Sequence, residues 1–503
     1  MNADNATQHL KWSERSTFFL AATGAAVGLG NIWKFPYVAG ENGGGAFVFL
    51  YLFFVLLIGI PLFMSEVVIG KRGEKSPSHS IADIANKEHK SRQWAWVGII
   101  AMLSGFLILS YYSVVGGEVM AYSIRMASGQ FEGQSADAVM YLYNNFRSST
   151  ETLLAWHTLF MVVTCIIVAR GVHRGLEKTV SLVMPLLVGL LLILVANALQ
   201  TDTFVNGASF LFDTDFKKLF YLRDSLGQYI LDANGAYQFT YKGIMTAMGH
   251  AFFTLGVGVG TIIIYGAYLR PDVSVAGVTV SVALADTVIA LLAGLAIFPI
   301  VFAYGLSTAQ GPGLVFTTLP VAFGSMIYGG FLGGLFYLAL FFAALTSAIA
   351  LIEPTVVWMM EKFRMTRVQA VTWSGVLCWS VGVISVFSVS GTTLRDIFES
   401  VATLVGIHTP NLQHRFFDLS GFQFIDALVT LVLLPLVGLL IAIFAGWIIR
   451  PDLTREELQM KSQVFYKVWQ FMVRYITPVL VLVIFVFALQ EWVNTYVLFK
   501  PVL

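Results

Sequence analysis

The chain has 503 residues, of which 57% are hydrophobic and 12% are charged, and its mean hydropathy is +0.77. Soluble domains contain about 45–50% apolar and about 25% charged residues, so this composition excludes an ordinary soluble domain and indicates a polytopic membrane protein. The formal net charge of +1 gives no indication of a nucleic-acid partner.

Eleven segments are apolar over about 20 residues, the length that a helix needs to cross a bilayer. We therefore predict an all-α polytopic membrane protein with 11 transmembrane helices, at residues 16–39, 46–69, 95–124, 154–170, 177–198, 243–267, 274–304, 332–360, 368–389, 423–449 and 468–492. The polar leader 1–15 runs directly into the first segment, so no cleavable signal peptide is expected. Cys165 and Cys378 both lie in apolar segments, and we expect no disulfide framework.

Lys and Arg are concentrated in the loops that follow the even-numbered segments, whereas the short loops 41–45 and 307–319 have none. Because cytoplasmic loops are enriched in these residues, we expect the N-terminus in the cytoplasm and, after eleven spans, the C-terminus outside it. Three outer loops are long, at 125–153, 199–242 and 390–422. The mixture of polar and aromatic residues at 213–235, within the second of these loops, favours an ordered cap over a linker.

The first apolar segment contains GAAVGLGNIWKFP, which begins at Gly24 and is unusual for a membrane helix. Each of its three glycines weakens a helix by about 1 kcal/mol relative to alanine, and Asn31 and Lys34 add polar groups. Freed backbone groups are tolerated in a bilayer only where protein or a wet cavity satisfies them. We predict a helix that is broken near the membrane middle, with inward-facing carbonyls that can bind a cation.

The sixth segment is interrupted in the same way, because FFTLGVGVG places Gly256, Gly258 and Gly260 at alternate positions. Two such segments in corresponding halves of a chain are typical of the central site of a secondary transporter, although glycine also occurs at ordinary contacts between membrane helices. An odd number of spans in each half would invert the second half relative to the first. The expected organisation is a cytoplasmic segment 1–15, a first five-helix repeat 16–198, an outer loop 199–242, a second repeat 243–449, and a C-terminal loop and helix 450–503.

Ionisable side chains inside membrane helices mark functional sites by default, and here they are Glu66, Glu118, His250, Asp286 and Glu353. We expect Glu66 to accept N–H bonds from the backbone of a broken helix and Glu118 to be a buried, hydrogen-bonded carboxyl. Asp286 has no Lys or Arg near it in the sequence. Its carboxylate therefore requires a cation, either a metal ion or a proton.

The stretch GAAVGLGNIWKFPYVAGENGGGAF resembles the signature of the neurotransmitter:sodium symporter family, as do FFTLGVGVG, the SYY at 110–112 and LTSAIAL. Paired interrupted helices have been described for this family. The resemblance extends from Trp12 to about Trp447 and implies a 5+5 inverted repeat plus one extra helix, with helices 1 and 6 unwound at mid-membrane. It also implies a multi-pass protein of the bacterial inner membrane that is a monomer or weak dimer, with an amino acid substrate, two sodium ions and no organic cofactor.

The resemblance places two sodium sites and one substrate site at the centre of the protein. One sodium ion would be bound by Ala26, Asn31, Thr254 and Asp286, and the other by Gly24, Val27, Ala343, Thr346 and Ser347. From the sequence alone, the last two hydroxyls could instead bond back to the preceding helical turn. The substrate would contact Ala25, Ala26, Leu29, Gly30, Ile108, Tyr112, Phe253, Thr254, Gly256, Val259, Ser347 and Leu351. Its carboxylate would lie at a half-helix N-terminus, which suits the positive end of the helix dipole.

The resemblance further implies two gates. The outer gate would pair Lys34 with Asp426, and Lys stands here where relatives usually have Arg, so the pair lacks a bidentate fork. The inner gate would combine Trp12, Tyr268 and Glu361.

The predicted pocket offers no charge to a substrate side chain, and Gly256 and Val259 are smaller than the Ser and Phe of many relatives. We predict a bulky hydrophobic L-amino acid, aliphatic or aromatic. Animal relatives bind chloride through a Ser at the position of Ala290, and Asp286 lies four residues earlier on the same helix face. We infer that Asp286 replaces the anion and that transport is chloride-independent.

Other functions stay open at this point. A proton-coupled carrier of the same fold would use His250 or Asp286 to carry the proton, and a transport-inactive amino acid sensor would keep the binding site. An enzyme is disfavoured because none of the eight histidines pairs with Asp or Glu at ligand spacing.

Overall fold

A computed structural model describes residues 11–223, 228–232, 235–306, 313–393, 395–396, 398–399 and 419–498. The first ten residues, six residues of the short loop 307–319 and most of the predicted outer loop 390–422 lie outside this part of the chain. The predictions for those stretches therefore stay predictions.

Helices make up nearly all of the regular structure in the described residues. They are α1 Arg15–Ala26, α2 Gly30–Glu41, α3 Gly45–Gly73, α4 Pro77–Lys87, α5 Arg92–Ala127, α6 Ala136–Ser148, α7 Thr150–Ala169, α8 Val172–Ala198, α9 Phe204–Phe212, α10 Phe216–Phe220, α11 Lys242–Thr254, α12 Thr261–Ala267, α13 Val275–Ala303, α14 Leu314–Gly324, α15 Gly329–Phe363, α16 Arg367–Val389, α17 Gly421–Ile448, α18 Pro451–Leu458 and α19 Gln463–Tyr496.

Nine of the described helices are long and apolar enough to cross a membrane, and the bent pair α1–α2 makes a tenth if it counts as one span. These ten correspond to ten of the eleven predicted segments. The remaining segment, 243–267, consists of the two short helices α11 and α12, neither of which is long enough to span alone. A total of eleven spans therefore depends on α11 and α12 crossing together.

The predicted break in the first segment is confirmed, since α1 and α2 meet at an angle of 50°. Val27 at the end of α1 has extended backbone angles, φ −72° and ψ 104°, and Gly28 follows it before the helix resumes. The glycines favour this break because glycine stabilises a helix less than any residue except proline.

The sixth segment is also broken, at residues 255–260. Gly256, Gly258 and Gly260 have φ values of +62°, +86° and +77°, a region that glycine enters without steric cost and that other residues rarely adopt. The alternate glycines therefore produce a non-helical stretch between α11 and α12.

Packing of the long helices places both breaks in the interior. Helix α5 packs along α15, α13 packs against α1 and the first turn of α2, and α12 packs against α3. The buried carboxylate of Glu66 on α3 accepts a 2.6 Å hydrogen bond from the N–H of Gly258. This contact confirms the prediction that Glu66 ties down the backbone of a broken helix.

The described part of the outer loop 199–242, which includes the predicted cap at 213–235, has regular structure. It contains α9, α10 and three antiparallel bridges, which pair Tyr221 with Phe239, Arg223 with Tyr229 and Leu231 with Tyr237. The tyrosines at 221, 229 and 237 recur every eight residues, and their ring centroids lie 5.2–6.5 Å apart.

Candidate functional site

A cavity of about 580 Å³, its mouth included, lies between the two broken segments and α5 and α15. All twelve residues predicted to contact the substrate line it. The lining also includes five residues that sequence reasoning missed, namely Gly28, Val257, Thr261, Ala350 and Leu434. The first four lie inside or beside the motifs that gave the prediction, whereas Leu434 on α17 carries no motif and is brought there by the fold.

One end of the cavity is polar. The backbone N–H of Leu29 donates to the hydroxyl of Tyr112 at 3.3 Å, and α2 begins at the next residue. A helix N-terminus has unpaired N–H groups and a partial positive charge, which together favour an anion. This end of the cavity can therefore accept a carboxylate.

The rest of the cavity wall is apolar. Ile108, Phe253, Val259, Leu351 and Leu434 contribute to it, and no Asp, Glu, Lys, Arg or His is among the described residues that line the cavity. The wall can accept a hydrophobic group but offers no partner to a charged one.

A first cluster of buried oxygen-bearing side chains lies beside the cavity. The amide nitrogen of Asn31 donates to Asp286 Oδ1 at 2.8 Å and to Thr254 Oγ1 at 3.3 Å. The hydroxyl of Thr254 donates to Asp286 Oδ2 at 2.8 Å. Three of the four ligands predicted for one sodium ion thus meet from α2, α11 and α13, and the fourth, Ala26, lines the cavity next to them. The carboxylate contacts only neutral groups in this cluster, and an uncompensated buried charge is costly, so the chemistry of the cluster fits a hard cation.

A second cluster joins α1 to α15. The hydroxyl of Ser347 donates weakly to the carbonyl oxygens of Gly24, at 3.4 Å, and Val27, at 3.3 Å. The hydroxyl of Thr346 donates to the carbonyl of Ala343 at 3.1 Å and so bonds back to its own helix. All five residues predicted for the other sodium ion are adjacent. The set consists of neutral carbonyl and hydroxyl oxygens, which also suits a hard cation.

His250 lies in a buried aromatic pocket on α11, four residues before Thr254. Its ring centroid is 5.9 Å from that of Phe35, 6.2 Å from Phe47 and 5.3 Å from Tyr51. Neither ring nitrogen of His250 has a hydrogen-bond partner in the described part of the protein.

The predicted outer ion pair is not formed in this structure. No salt bridge among the described residues joins Lys34 to Asp426; instead the Lys34 ammonium lies over the ring of Phe253, 4.8 Å from its centroid. Asp426 lies near the phenol of Tyr111. The Lys34 ammonium thus makes a cation–π contact with Phe253, which is a favourable alternative to an ion pair.

The predicted inner grouping forms only in part. Trp12 is buried, its backbone N–H donates to the carbonyl of Tyr268 at 2.9 Å, and the two rings lie 5.8 Å apart. Glu361 is not bonded to either residue, because its carboxylate accepts from the side chains of Ser76 and His79.

An ion pair that was not predicted from the sequence lies beside Tyr268 of the predicted inner gate. Arg367 makes a bidentate pair with Glu353, at 3.0 and 2.6 Å, and the Tyr268 hydroxyl donates to the same carboxylate at 2.8 Å. Arg367 also donates to the carbonyl of Val168 at the end of α7. Glu353 lies on α15 and Arg367 begins α16, so no spacing within a single helix signals this pair in the sequence.

A cavity enclosed by two broken helices and flanked by oxygen clusters is typical of a secondary transporter. The Sodium:neurotransmitter symporter family matches residues 9–132 and 137–415, and the chain belongs to this family. Family membership makes the protein a sodium-dependent transporter and not an enzyme.

Several relatives cover almost the whole chain. An uncharacterised sodium-dependent transporter of Bacillus subtilis, YhdH, is 33% identical over 481 residues, which are 95% of this chain and 97% of the relative. An uncharacterised sodium-dependent transporter of Haemophilus influenzae is 31% identical over 490 residues, 96% of this chain and 98% of the relative. The crystal structure of MhsT in complex with L-phenylalanine is similar, with a TM-score of 0.80 and 36% identity, and covers 95% of this chain and 99% of MhsT. The protein is thus an all-helical, multi-pass membrane protein with bacterial homologues.

Proposed function

We propose that the protein is a symporter that couples the entry of sodium ions to the uptake of bulky hydrophobic L-amino acids. We propose that this transport is independent of chloride. The observation that carries this proposal is the central cavity, which is apolar along its wall and polar at the N-terminus of α2. The similarity to MhsT, which was crystallised with L-phenylalanine, supports an amino acid substrate of this class.

The amino acid would bind with its carboxylate at the start of α2, near Leu29 and Gly30, and against the hydroxyl of Tyr112. Its side chain would lie between Ile108, Val259 and the other apolar residues of the wall. Full burial of a Leu or Phe side chain contributes about 1.5–3 kcal/mol, so the apolar wall provides most of the selectivity for large substrates.

Sodium ions would be cargo. Ala26, Asn31, Thr254 and Asp286 would bind one ion, and Gly24, Val27, Ala343, Thr346 and Ser347 would bind the other. Two sodium ions and a zwitterion bring a net charge of +2 into a buried region, which requires compensation. The carboxylate of Asp286 would supply the negative charge, and this is the basis for chloride independence.

The proposed cycle is alternating access by two inverted five-helix repeats, 16–198 and 243–449, with α19 as the eleventh span. The N-terminus would be cytoplasmic and the C-terminus outside. A reporter that is active only outside the cytoplasm should then be active when it is fused after residue 503. Activity of a reporter that works only in the cytoplasm would contradict the count of eleven spans.

A second candidate is proton coupling through His250. Neither of its ring nitrogens has a hydrogen-bond partner in the described part of the chain, so either would be available to accept a proton in a state of the cycle that hydrates the pocket. A sodium-independent, pH-dependent transport activity that is lost in His250→Gln would support this candidate over the first.

Competition binding with the purified protein tests the proposed substrate class. Labelled leucine should bind only in sodium, and unlabelled Leu, Met, Phe and Trp should displace it better than Gly or Ala. Stronger displacement by Gly or Ala would contradict the proposal. Sodium-dependent binding without any transport would favour a sensor.

A further inference from the structure

Helix α19 contacts the last turn of α17 at a point where the two backbones are close. A Cβ atom added to Gly446 would lie 3.1 Å from the carbonyl oxygen of Val473 and 3.2 Å from the Cα atom of Arg474. The Nε–H of Arg474 donates to the Gly446 carbonyl at 2.6 Å, and the Arg474 carbonyl accepts from the indole N–H of Trp447 at 3.1 Å. Both the backbone and the side chain of Arg474 are therefore fixed at this junction.

The guanidinium group of Arg474 is held in place, but most of its donors are unused. It lies over the ring of Trp447, 5.4 Å from the centroid. Its two Nη atoms have no acceptor among the described residues, and neither atom is buried. No salt bridge in the described part of the chain involves Arg474. The bond from Nε satisfies a carbonyl at the C-terminus of α17, whereas the charge and the Nη donors stay available to a partner outside the chain.

The side chains around this guanidinium are aromatic and exposed. Trp447 is 53% exposed, Tyr475 is 48% exposed and Phe471 is 56% exposed. The ring centroids of Trp447 and Tyr475 are 5.7 Å apart, and those of Phe471 and Tyr475 are 5.5 Å apart. Lys467, about two turns earlier on α19, is also exposed. The junction thus combines basic groups with an apolar aromatic surface.

The junction lies at one edge of the membrane. Gly446 and Trp447 are in the last turn of α17, which ends at Ile448 and is long enough to cross a membrane. Trp and Tyr are enriched at the boundary between membrane and water, and basic pockets between helices on the cytoplasmic side bind anionic lipid head groups. In the orientation proposed above, this edge faces the cytoplasm.

We propose that Arg474, Trp447, Tyr475 and Lys467 form a binding site for an anionic phospholipid, phosphatidylglycerol in the test below. The lipid phosphate would accept two N–H groups from the Nη atoms of Arg474, since arginine binds phosphate in a bidentate manner. Lys467 would add a second positive charge, and the acyl chains would lie against the exposed rings. Bound lipid would hold α19 against α17. The inference goes beyond the proposed transport function and does not depend on it.

Photoreactive phosphatidylglycerol tests the site in phosphatidylcholine vesicles that contain the purified protein. It should label peptides that include 444–448 and 471–476, and unlabelled phosphatidylglycerol should compete. Arg474→Gln should raise the lipid concentration for half-maximal labelling about fivefold or more, the contribution of one basic residue near an anionic lipid. Arg474→Lys should restore part of the affinity, because lysine keeps the charge but lacks the planar fork.

Arg174→Gln is the matched control. It removes the same charge from an exposed position in the first turn of α8, where the described residues make no ring contact with the side chain. Labelling of the α17–α19 junction should not change in this variant. Unchanged half-maximal labelling in Arg474→Gln would overturn the proposal, because Arg474 then serves only the end of α17. Equal labelling of the junction by photoreactive phosphatidylcholine would also overturn it.

A measurement on the wild-type protein covers the case in which Arg474→Gln does not fold. Added phosphatidylglycerol should raise the melting temperature above that in phosphatidylcholine alone, and labelling of the junction should weaken as salt screens the charges. Inorganic phosphate should not compete at concentrations at which phosphatidylglycerol does. Labelling that is independent of salt would overturn the proposal. Equal competition by inorganic phosphate would show a site for a free anion and would overturn the assignment to lipid.

Discussion

Asn31 and Asp286 are 255 residues apart in the chain, yet the amide nitrogen of Asn31 donates to the Asp286 carboxylate at 2.8 Å. The bond links the half-helix that begins beside the cavity to α13. Both side chains are fully buried. This carboxylate is adjacent to the substrate cavity and to the oxygen atoms proposed to bind sodium, and we therefore propose that the charge on Asp286 is central to coupling.

The role of Asp286 predicts that uptake is equal in chloride and in gluconate buffers. The double variant Asp286→Asn/Ala290→Ser removes the carboxylate and adds a hydroxyl one turn away, so it should make uptake depend on chloride. The measurement is the initial rate of amino acid uptake in each of the two buffers, for the wild-type protein and for the double variant. Ala290→Ser alone is the control and should stay chloride-independent. A collapse of wild-type uptake without chloride would contradict the charge argument.

Removal of the Thr346 and Ser347 hydroxyls should weaken the binding of sodium. Each hydrogen bond or ligand contact to a charged partner is worth about 1.5–3 kcal/mol, so the double Ala variant should need a sodium concentration at least tenfold higher for half-maximal uptake. Thr372→Ala, on the exposed face of α16, is a matched control that also removes a back-bonded hydroxyl. Unchanged sodium dependence in the double variant would remove α15 from the site.

Val259 lines the cavity, so Val259→Phe should reduce the space available to the substrate. The larger side chain should occupy the space of a bulky substrate, so preference should shift toward small amino acids by about tenfold or more. Val288→Phe, on a 51% exposed position of α13, makes the same change away from the cavity. A competition panel that stays the same for both variants would exclude Val259 from the substrate site.

We expect the Glu353–Arg367 ion pair to keep the cytoplasmic pathway closed, and closure should then fail when one of the two charges is removed. Loss of one partner of a buried ion pair costs about 3–5 kcal/mol, so Glu353→Gln should lower thermal stability and raise labelling of a cysteine introduced in the cytoplasmic pathway. Asp272→Asn removes a partner of the exposed pair with Arg270 and should have little effect, since exposed pairs contribute about 0–1 kcal/mol. Equal labelling in both variants would show that the pair does not control access.

The sequence was informative where local chemistry decides the structure. Closely spaced glycines predict broken helices because glycine stabilises a helix poorly wherever it occurs. The family resemblance, carried by motifs on both breaks, on α5 and on α15, led to all twelve predicted cavity residues. Long-range neighbours were less predictable. Leu434 reaches the cavity only through helix packing, and Arg367 pairs with Glu353 across a helix junction. The outer pair of Lys34 and Asp426 depends on side-chain positions that the sequence does not determine, and here Lys34 contacts Phe253 instead.

The most direct test of sodium-coupled amino acid transport is counterflow in proteoliposomes that contain the purified protein. Vesicles loaded with sodium and unlabelled leucine should accumulate labelled leucine above equilibrium, and Asp286→Ala should abolish this accumulation. Replacement of sodium by choline on both sides should also abolish it. Equal accumulation in sodium and in choline would contradict sodium coupling, and accumulation in neither would contradict transport of this substrate.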